Sequence, residues 1–247
     1  MSLRACAARA VISSLAMLLL AFDCEAAPPP APAVFFASLS GRPTLDQGEG
    51  GGNPFASALV ELLLRPDVDL GMLPSELRIL TNRKSRGFQV ADGPSLVEPS
   101  DWRFQSPPAQ NSKLALVAVF SNYTTSAHWP ALPGARRDAH RVSAALEAAG
   151  FDIATVVDPT RAELSEELRR FRQRSTTSDF AIVYTTGHGV EVDSRVYLLP
   201  DDYPFSEGKR ALDRMAVPLA RFVSSARARR VNLVFYGGCR DNPFDKE

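Results

Sequence analysis

Apolar positions along this chain follow two alternating rhythms. Apolar runs at residues 114–120 (LALVAVF) and 180–184 read as buried strands, and residues 151–157 and 231–236 as further strands. Between them the apolar positions recur every three or four residues. Ala135, Ala139, Val142 and Leu146 line one helix, stopped by Gly150, and Leu164, Leu168 and Phe171 line the next. Thr160 with Glu163 gives that second helix a capping box. The earlier part of the chain is less regular. Residues 33–39 (AVFFASL) predict a buried strand, and Gly48 to Gly52 a glycine loop. Asn53-Pro54 opens a helix with Phe55, Leu59, Leu62 and Leu63 on one face. Leu70, Leu73, Leu77 and Leu80 mark a second helix, and residues 101–105 a short strand. After residue 189 comes a polar excursion containing VYLLP, then a helix over 211–228 broken near Pro218. Strands alternating with helices predict an α/β fold with a parallel sheet covered on both faces.

The length of 247 residues suits one domain, and 45% apolar residues are enough for a sizeable core. Formal net charge is zero, which argues against a nucleic-acid footprint. Residues 1–26 read as a signal peptide: Arg4 and Arg9, a short apolar run from Ala10 to Phe22, and small residues before a cut after Ala26. The run is short for a membrane span, so the expected product is exported, periplasmic or secreted, with no stable membrane association once the leader is gone. A retained anchor is the alternative. Residues 27–32 form a proline-rich linker, and SPPAQNS at 106–112 a second one. Cys6 and Cys24 fall in the leader, so Cys239 is the lone thiol of the mature chain, either inert through burial, paired between molecules, or reactive.

In parallel sheets chemistry gathers beyond the carboxyl ends of the strands. His188 follows the 180–184 strand within Gly-His-Gly, and Cys239 follows the 231–236 strand after two glycines. An imidazole beside a thiol can take its proton, and the backbone N–H groups of Gly189 and Cys239 are candidate oxyanion donors. His188 alone could equally be a turn residue, and His128 and His140 read as surface or packing residues. The glycine run lacks the Lys-Ser or Lys-Thr of a phosphate loop. Asp201-Asp202 reads as a solvated loop rather than a metal pair, and no zinc-type spacing exists, so neither metal nor cofactor is expected.

The stretch from 114 to 244 resembles the large-subunit region of caspase-like cysteine peptidases, especially metacaspases and their bacterial relatives. The resemblance rests on Asn122-Tyr123, LPGARRDA at 132–139, SDFAIVYTTGHGVEVDSRVYLLPDD at 178–202 and CRDNPF at 239–244. It implies a three-layer α/β/α sandwich around a mostly parallel six-stranded sheet, with His188 as base and Cys239 as nucleophile of an endopeptidase acting on polypeptides through a thioester. Their separation of 51 positions agrees with caspase spacing. Calcium dependence occurs in some relatives, and no motif here points to it.

Two departures stand out. The family's aspartate two positions before the cysteine is Gly237 here, so a pocket for a basic P1 side chain would need another acid, and Asp46 and Asp241 are the candidates. Phe120-Ser121 also replaces the common Ile-Gly. Together with the altered order, these leave a second reading open, a catalytically silent module that binds peptides or partners. The order differs because the family's small-subunit region follows the cysteine, whereas here residues 33–105 resemble it and residues 113–247 the large-subunit region. That implies a circular permutation within one domain. The linker would then span four strand spacings, roughly 19 Å, and nine residue steps reach about 30 Å. The same linker could hand the region to a second chain, and the oligomeric state stays open.

Overall fold

The computed structural model describes residues 28–106, 112–124 and 129–246. The leader with Cys6 and Cys24, most of the second linker, and His128 lie outside them. Along the chain the elements are β1 (Ala33–Phe36), α1 (Pro54–Leu64), α2 (Leu73–Lys84), β2 (Lys113–Val119), α3 (Pro133–Ala148), β3 (Asp152–Val157) and α4 (Arg161–Ser175). Then come β4 (Phe180–Thr186), β5 (Gly189–Val192), β6 (Arg195–Leu198), α5 (Leu212–Met215), β7 (Val217–Pro218), α6 (Leu219–Val223) and β8 (Val231–Tyr236).

Five strands form the central sheet in the order β1-β8-β4-β2-β3, every neighbouring pair parallel. β2, β4 and β8 are buried along their whole length, which is why they are mostly apolar. Alternate residues feed two cores. Phe180, Ile182 and Tyr184 meet α1, α2 and α3, while Ala181 and Val183 meet α4 and α6. The result is the expected three-layer sandwich.

The helix starts follow the sequence signals. Asn53 caps α1, its side chain accepting from the Phe55 N–H at 2.8 Å. Thr160 and Glu163 make a complete capping box on α4. Gly150, at φ 81, ends the turn after α3.

Three expectations change. The polar excursion after residue 189 is a hairpin over 189–198, which with β7 makes a second, antiparallel sheet. Its turn sits at Asp193 and Ser194, both at positive φ, and Val190, Val192 and Tyr197 bury into a small core of their own. The helix expected over 211–228 is two short helices separated by β7. The sheet has five strands rather than six. Trp102 and Phe104, expected in a sixth strand, cover the amino-terminal end of the sheet instead: Trp102 stacks on Phe180 at 3.9 Å between centroids and Phe104 is fully buried. Residues 101–105 touch the Leu70 region through a single antiparallel bridge between Arg103 and Asp69 and form no strand of the sheet. The β1 edge is closed by one antiparallel bridge to Asp92, with both N–H to O bonds made at 2.8 and 2.9 Å.

That rerouting removes the long linker span. Lys113, at the start of β2 and buried, donates from Nζ to the carbonyls of Phe104, Ser106 and Ala149 at 2.8, 2.7 and 2.9 Å. Ser106 and Lys113 are therefore already neighbours. Lys113→Met fits the space but strands three carbonyls without their donor. It should lower the free energy of unfolding by about 2–4 kcal/mol, read from urea denaturation with an unchanged slope. A variant as stable as the parent would show that water satisfies those carbonyls as well.

Candidate active site

His188 and Cys239 follow the ends of two hydrogen-bonded neighbours, β4 and β8, whose register runs from Phe180↔Val231 to Thr185↔Tyr236. Beyond that register the two chains turn, and glycines let the turns touch. A Cβ on Gly238 would lie 2.8 Å from the Gly187 carbonyl oxygen and 2.5 Å from the Tyr236 hydroxyl, and one on Gly189 would fall on that same hydroxyl. Tyr236 is fully buried, and its hydroxyl donates to the Cys239 carbonyl at 3.0 Å. One tyrosine hydroxyl thus sits where the His188 turn meets the Cys239 turn.

The histidine backbone is held by a closed set of bonds. The His188 N–H donates to the Tyr123 hydroxyl at 2.9 Å, that hydroxyl donates to the Leu199 carbonyl at 3.0 Å, and the Leu199 N–H donates to the His188 carbonyl at 2.8 Å. Its ring packs against Trp129 and Tyr123 at 4.7 and 4.5 Å. Nε2 lies 2.8 Å from the Pro130 carbonyl oxygen. A carbonyl can only accept, so Nε2 carries the proton and Nδ1 keeps the lone pair of the neutral ring. Burial pushes the imidazole below its usual range, against the opposing pull of the Pro130 carbonyl, Asp46 and Asp241. Burial likewise pushes the Cys239 thiol up, Asp241 adds to this, and hydrogen bonds from Thr44 pull it back. Both shifts favour a resting pair of thiol and neutral imidazole.

The turn after β8 is locked by Arg240. Its guanidinium, 8% exposed as a residue, binds Glu191 at 2.7 Å, Asp92 at 2.8 Å and the Ser38 carbonyl at 3.1 Å, and lies 4.1 Å over the Phe36 ring. Asn53 reaches the same turn, donating from Nδ2 to the Gly237 carbonyl at 3.0 Å. Gly237 itself is crowded. A Cβ there would lie 2.7 Å from Thr186 Oγ1 and 3.2 Å from the Tyr184 hydroxyl, so the space an aspartate would need is already filled.

The two acidic candidates part company. Asp46 is half-buried and its two oxygens accept from the Gly134 and Ala135 N–H groups at 2.8 and 2.9 Å, capping α3 from a distant loop. Asp241 is half-buried, and its charge acts on both His188 and Cys239. Among the described residues no group of three or more His, Cys, Asp or Glu could hold a metal ion, and no helix is long and apolar enough to cross a membrane. An apolar cavity of about 610 Å³ between residues 29–32 and α6 is lined by neither His188 nor Cys239.

Several residues of this neighbourhood carry no sequence signal. Thr44 lies in an unpatterned loop, and the Pro130 carbonyl is backbone. Tyr236 reads as an ordinary strand residue. Asp138 was legible in principle, because it stands beside the apolar stripe of α3 at Ala135, Ala139 and Val142. It is fully buried, accepts the Asn53 N–H at 2.8 Å and pairs with Arg141 at 3.2 Å.

Comparison with known proteins gives one family. The caspase domain model matches residues 112–245, more than half of the chain. No curated protein matches the sequence.

Asp138 yields a test of this buried layer. Burial raises its carboxyl from an ordinary 3.8 to about 7. The unfolded chain loses that proton near 3.8 while the folded chain keeps it, so the contribution to stability is full below about pH 4 and is lost as pH rises through about 7. Asp138→Asn keeps an acceptor for Asn53 and cannot ionise. Its stability relative to the parent should rise between pH 4 and 8 by roughly 2–4 kcal/mol, followed by urea unfolding across pH. Parallel stability curves would mean that Asp138 is ionised in the folded state.

Proposed function

The chain belongs to the caspase-domain family, and on that footing we propose that it is a cysteine endopeptidase working through Cys239 and His188. The supporting observation is the meeting of the two glycine turns around the Tyr236 hydroxyl, with His188 Nε2 committed to the Pro130 carbonyl and Nδ1 left as the base.

The chemistry then runs as follows. The thiol proton passes from Sγ to His188 Nδ1 while sulfur bonds to the scissile carbonyl carbon. The charge that develops on oxygen is held by the backbone N–H groups of Gly189 and Cys239. The tetrahedral species collapses, the C–N bond breaks, and the amine leaves with the imidazolium proton. Water, activated by the same imidazole, splits the thioester and restores the thiol. No metal or cofactor enters any step.

A basic P1 residue fits best at Asp241, because both oxygens of Asp46 are taken up by α3. Residues 33–105 serve as the small-subunit region, moved ahead of the large one by circular permutation. In support, β1 lies beyond β8 and parallel to it, and Phe35 stacks on Phe235 at 5.3 Å. The reading of residues 1–26 as a leader makes the enzyme an exported one. The rival reading, a silent peptide-binding module, draws on the filled space beside Gly237.

Cys239→Ala and His188→Ala should each lower kcat/KM on fluorogenic peptides by at least about 10³-fold. Among Arg, Lys and Asp at P1, the basic peptides should be preferred. Asp241→Asn should cost an Arg peptide about tenfold while sparing one with an uncharged P1. Hydrolysis that survives Cys239→Ala contradicts the proposal. Failure to cleave any of these peptides, by folded protein with and without calcium, selects the binding module.

A further inference from the structure

Thr44 touches the Cys239 sulfur. Its backbone N–H lies 3.3 Å from Sγ and its hydroxyl 3.4 Å from it. The same hydroxyl is 3.4 Å from the Gly237 carbonyl oxygen. The loop is clamped on both sides of Thr44. The Arg240 N–H donates to the Arg42 carbonyl, and the Gly41 N–H to the Arg240 carbonyl, both at 3.1 Å. Ser38 Oγ donates to that Arg42 carbonyl at 2.9 Å. The Leu45 N–H donates to Gln89 Oε1 at 2.9 Å, and Gln89 Nε2 in turn donates to the Ala37 carbonyl at 3.2 Å.

An amide N–H can only donate, so the sulfur accepts from Thr44 whatever its own protonation. The hydroxyl has two acceptors within reach. While the sulfur holds its proton, the hydroxyl gives its hydrogen to Gly237. Once that proton has moved to His188 Nδ1, the hydroxyl turns its hydrogen to the sulfur. No further reactant is needed, since one proton crosses from sulfur to nitrogen and the hydroxyl only rotates.

We propose that Thr44 is a catalytic residue of this site, its amide and hydroxyl donating to the Cys239 sulfur as it ionises. The assignment rests on the dyad reading above. Of the titratable groups, Asp241 from its own turn and the buried Tyr236 act electrostatically on the sulfur, while Asp46 and Asp241 act on His188 beyond the neighbouring strand. Burial and Asp241 both oppose ionisation, and the Thr44 donors are the counterweight. Thr44 lies outside the 112–245 match, so the earlier segment supplies part of the chemistry and not only a sheet edge.

The test needs no peptide substrate. The rate at which iodoacetamide alkylates Cys239 in the full chain is followed against pH, with peptide-resolved mass spectrometry reading that cysteine alone. Thr44→Val should move the midpoint up and slow alkylation at pH 7.5 about three- to tenfold, with the high-pH plateau unchanged. Thr44→Ser should restore the parent curve. Thr44→Ala, which adds no methyl against Gly237, gives a second measure should the valine variant not fold. A Thr44→Val curve that superimposes on the parent, or one that reacts faster, overturns the assignment. His188→Ala separates the two claims. If its curve moves while Thr44→Val does not, the dyad stands and Thr44 falls. If only Thr44→Val moves the curve, the Thr44 contact holds and the dyad falls.

Discussion

Parallel pairing of β4 with β8 is the constraint on which the rest of the molecule depends. It ends both strands at one level, and the turns beyond them have nowhere to go but against each other. Glycine at 187, 189, 237 and 238 lets the backbones approach, and the buried Tyr236 hydroxyl fills the junction. The two turns are held through their backbones. The His188 main chain is closed by bonds through Tyr123 and Leu199, and the Cys239 main chain by Tyr236. His188 commits Nε2 to the Pro130 carbonyl, and the Cys239 sulfur accepts from the Thr44 N–H.

Around that junction the earlier segment acts as a brace. Arg240 links it to the turn after β8. It is buried and sits between Asp92 and Glu191 over Phe36, so residues before β2 and residues after β8 share one ionic cluster. Breaking such a cluster from one side leaves uncompensated charge, a strong reason for the pieces to stay docked. Asn53 adds a second tie, capping α1 while holding Gly237. Asp46 ties the Thr44 loop to the start of α3.

The sheet, its parallel sense and its helices were legible because buried strands and amphipathic helices write their periods directly into the sequence. Caps were legible at Asn53 and Thr160, where the chemistry is local. The hairpin at 189–198 was missed because half of it faces a small separate core, and Glu191 and Arg195 break its apolar pattern. The sixth strand was expected because Trp102-Arg103-Phe104 resembles the end of the family's small-subunit region. The rings of Trp102 and Phe104 instead close the end of the sheet over Phe180 and Lys113, a contact with no trace in local pattern. The glycine-flanked places of His188 and Cys239 at the ends of two strands were legible. Thr44 and the Pro130 carbonyl were not, since one is a polar residue in a loop and the other has no side-chain identity to read. Asp46 illustrates the reverse case: an acid picked out for a ligand turned out to cap a helix 88 residues away.

The central claim, that His188 and Cys239 act as one reactive unit, is tested most directly by intact-mass analysis after treatment with a peptidyl acyloxymethyl ketone bearing arginine at P1. The account predicts a single adduct, mapped to Cys239, formed by the parent and suppressed in His188→Ala with the fold intact. An adduct that forms equally fast without His188, or a folded parent that takes no label, would contradict it.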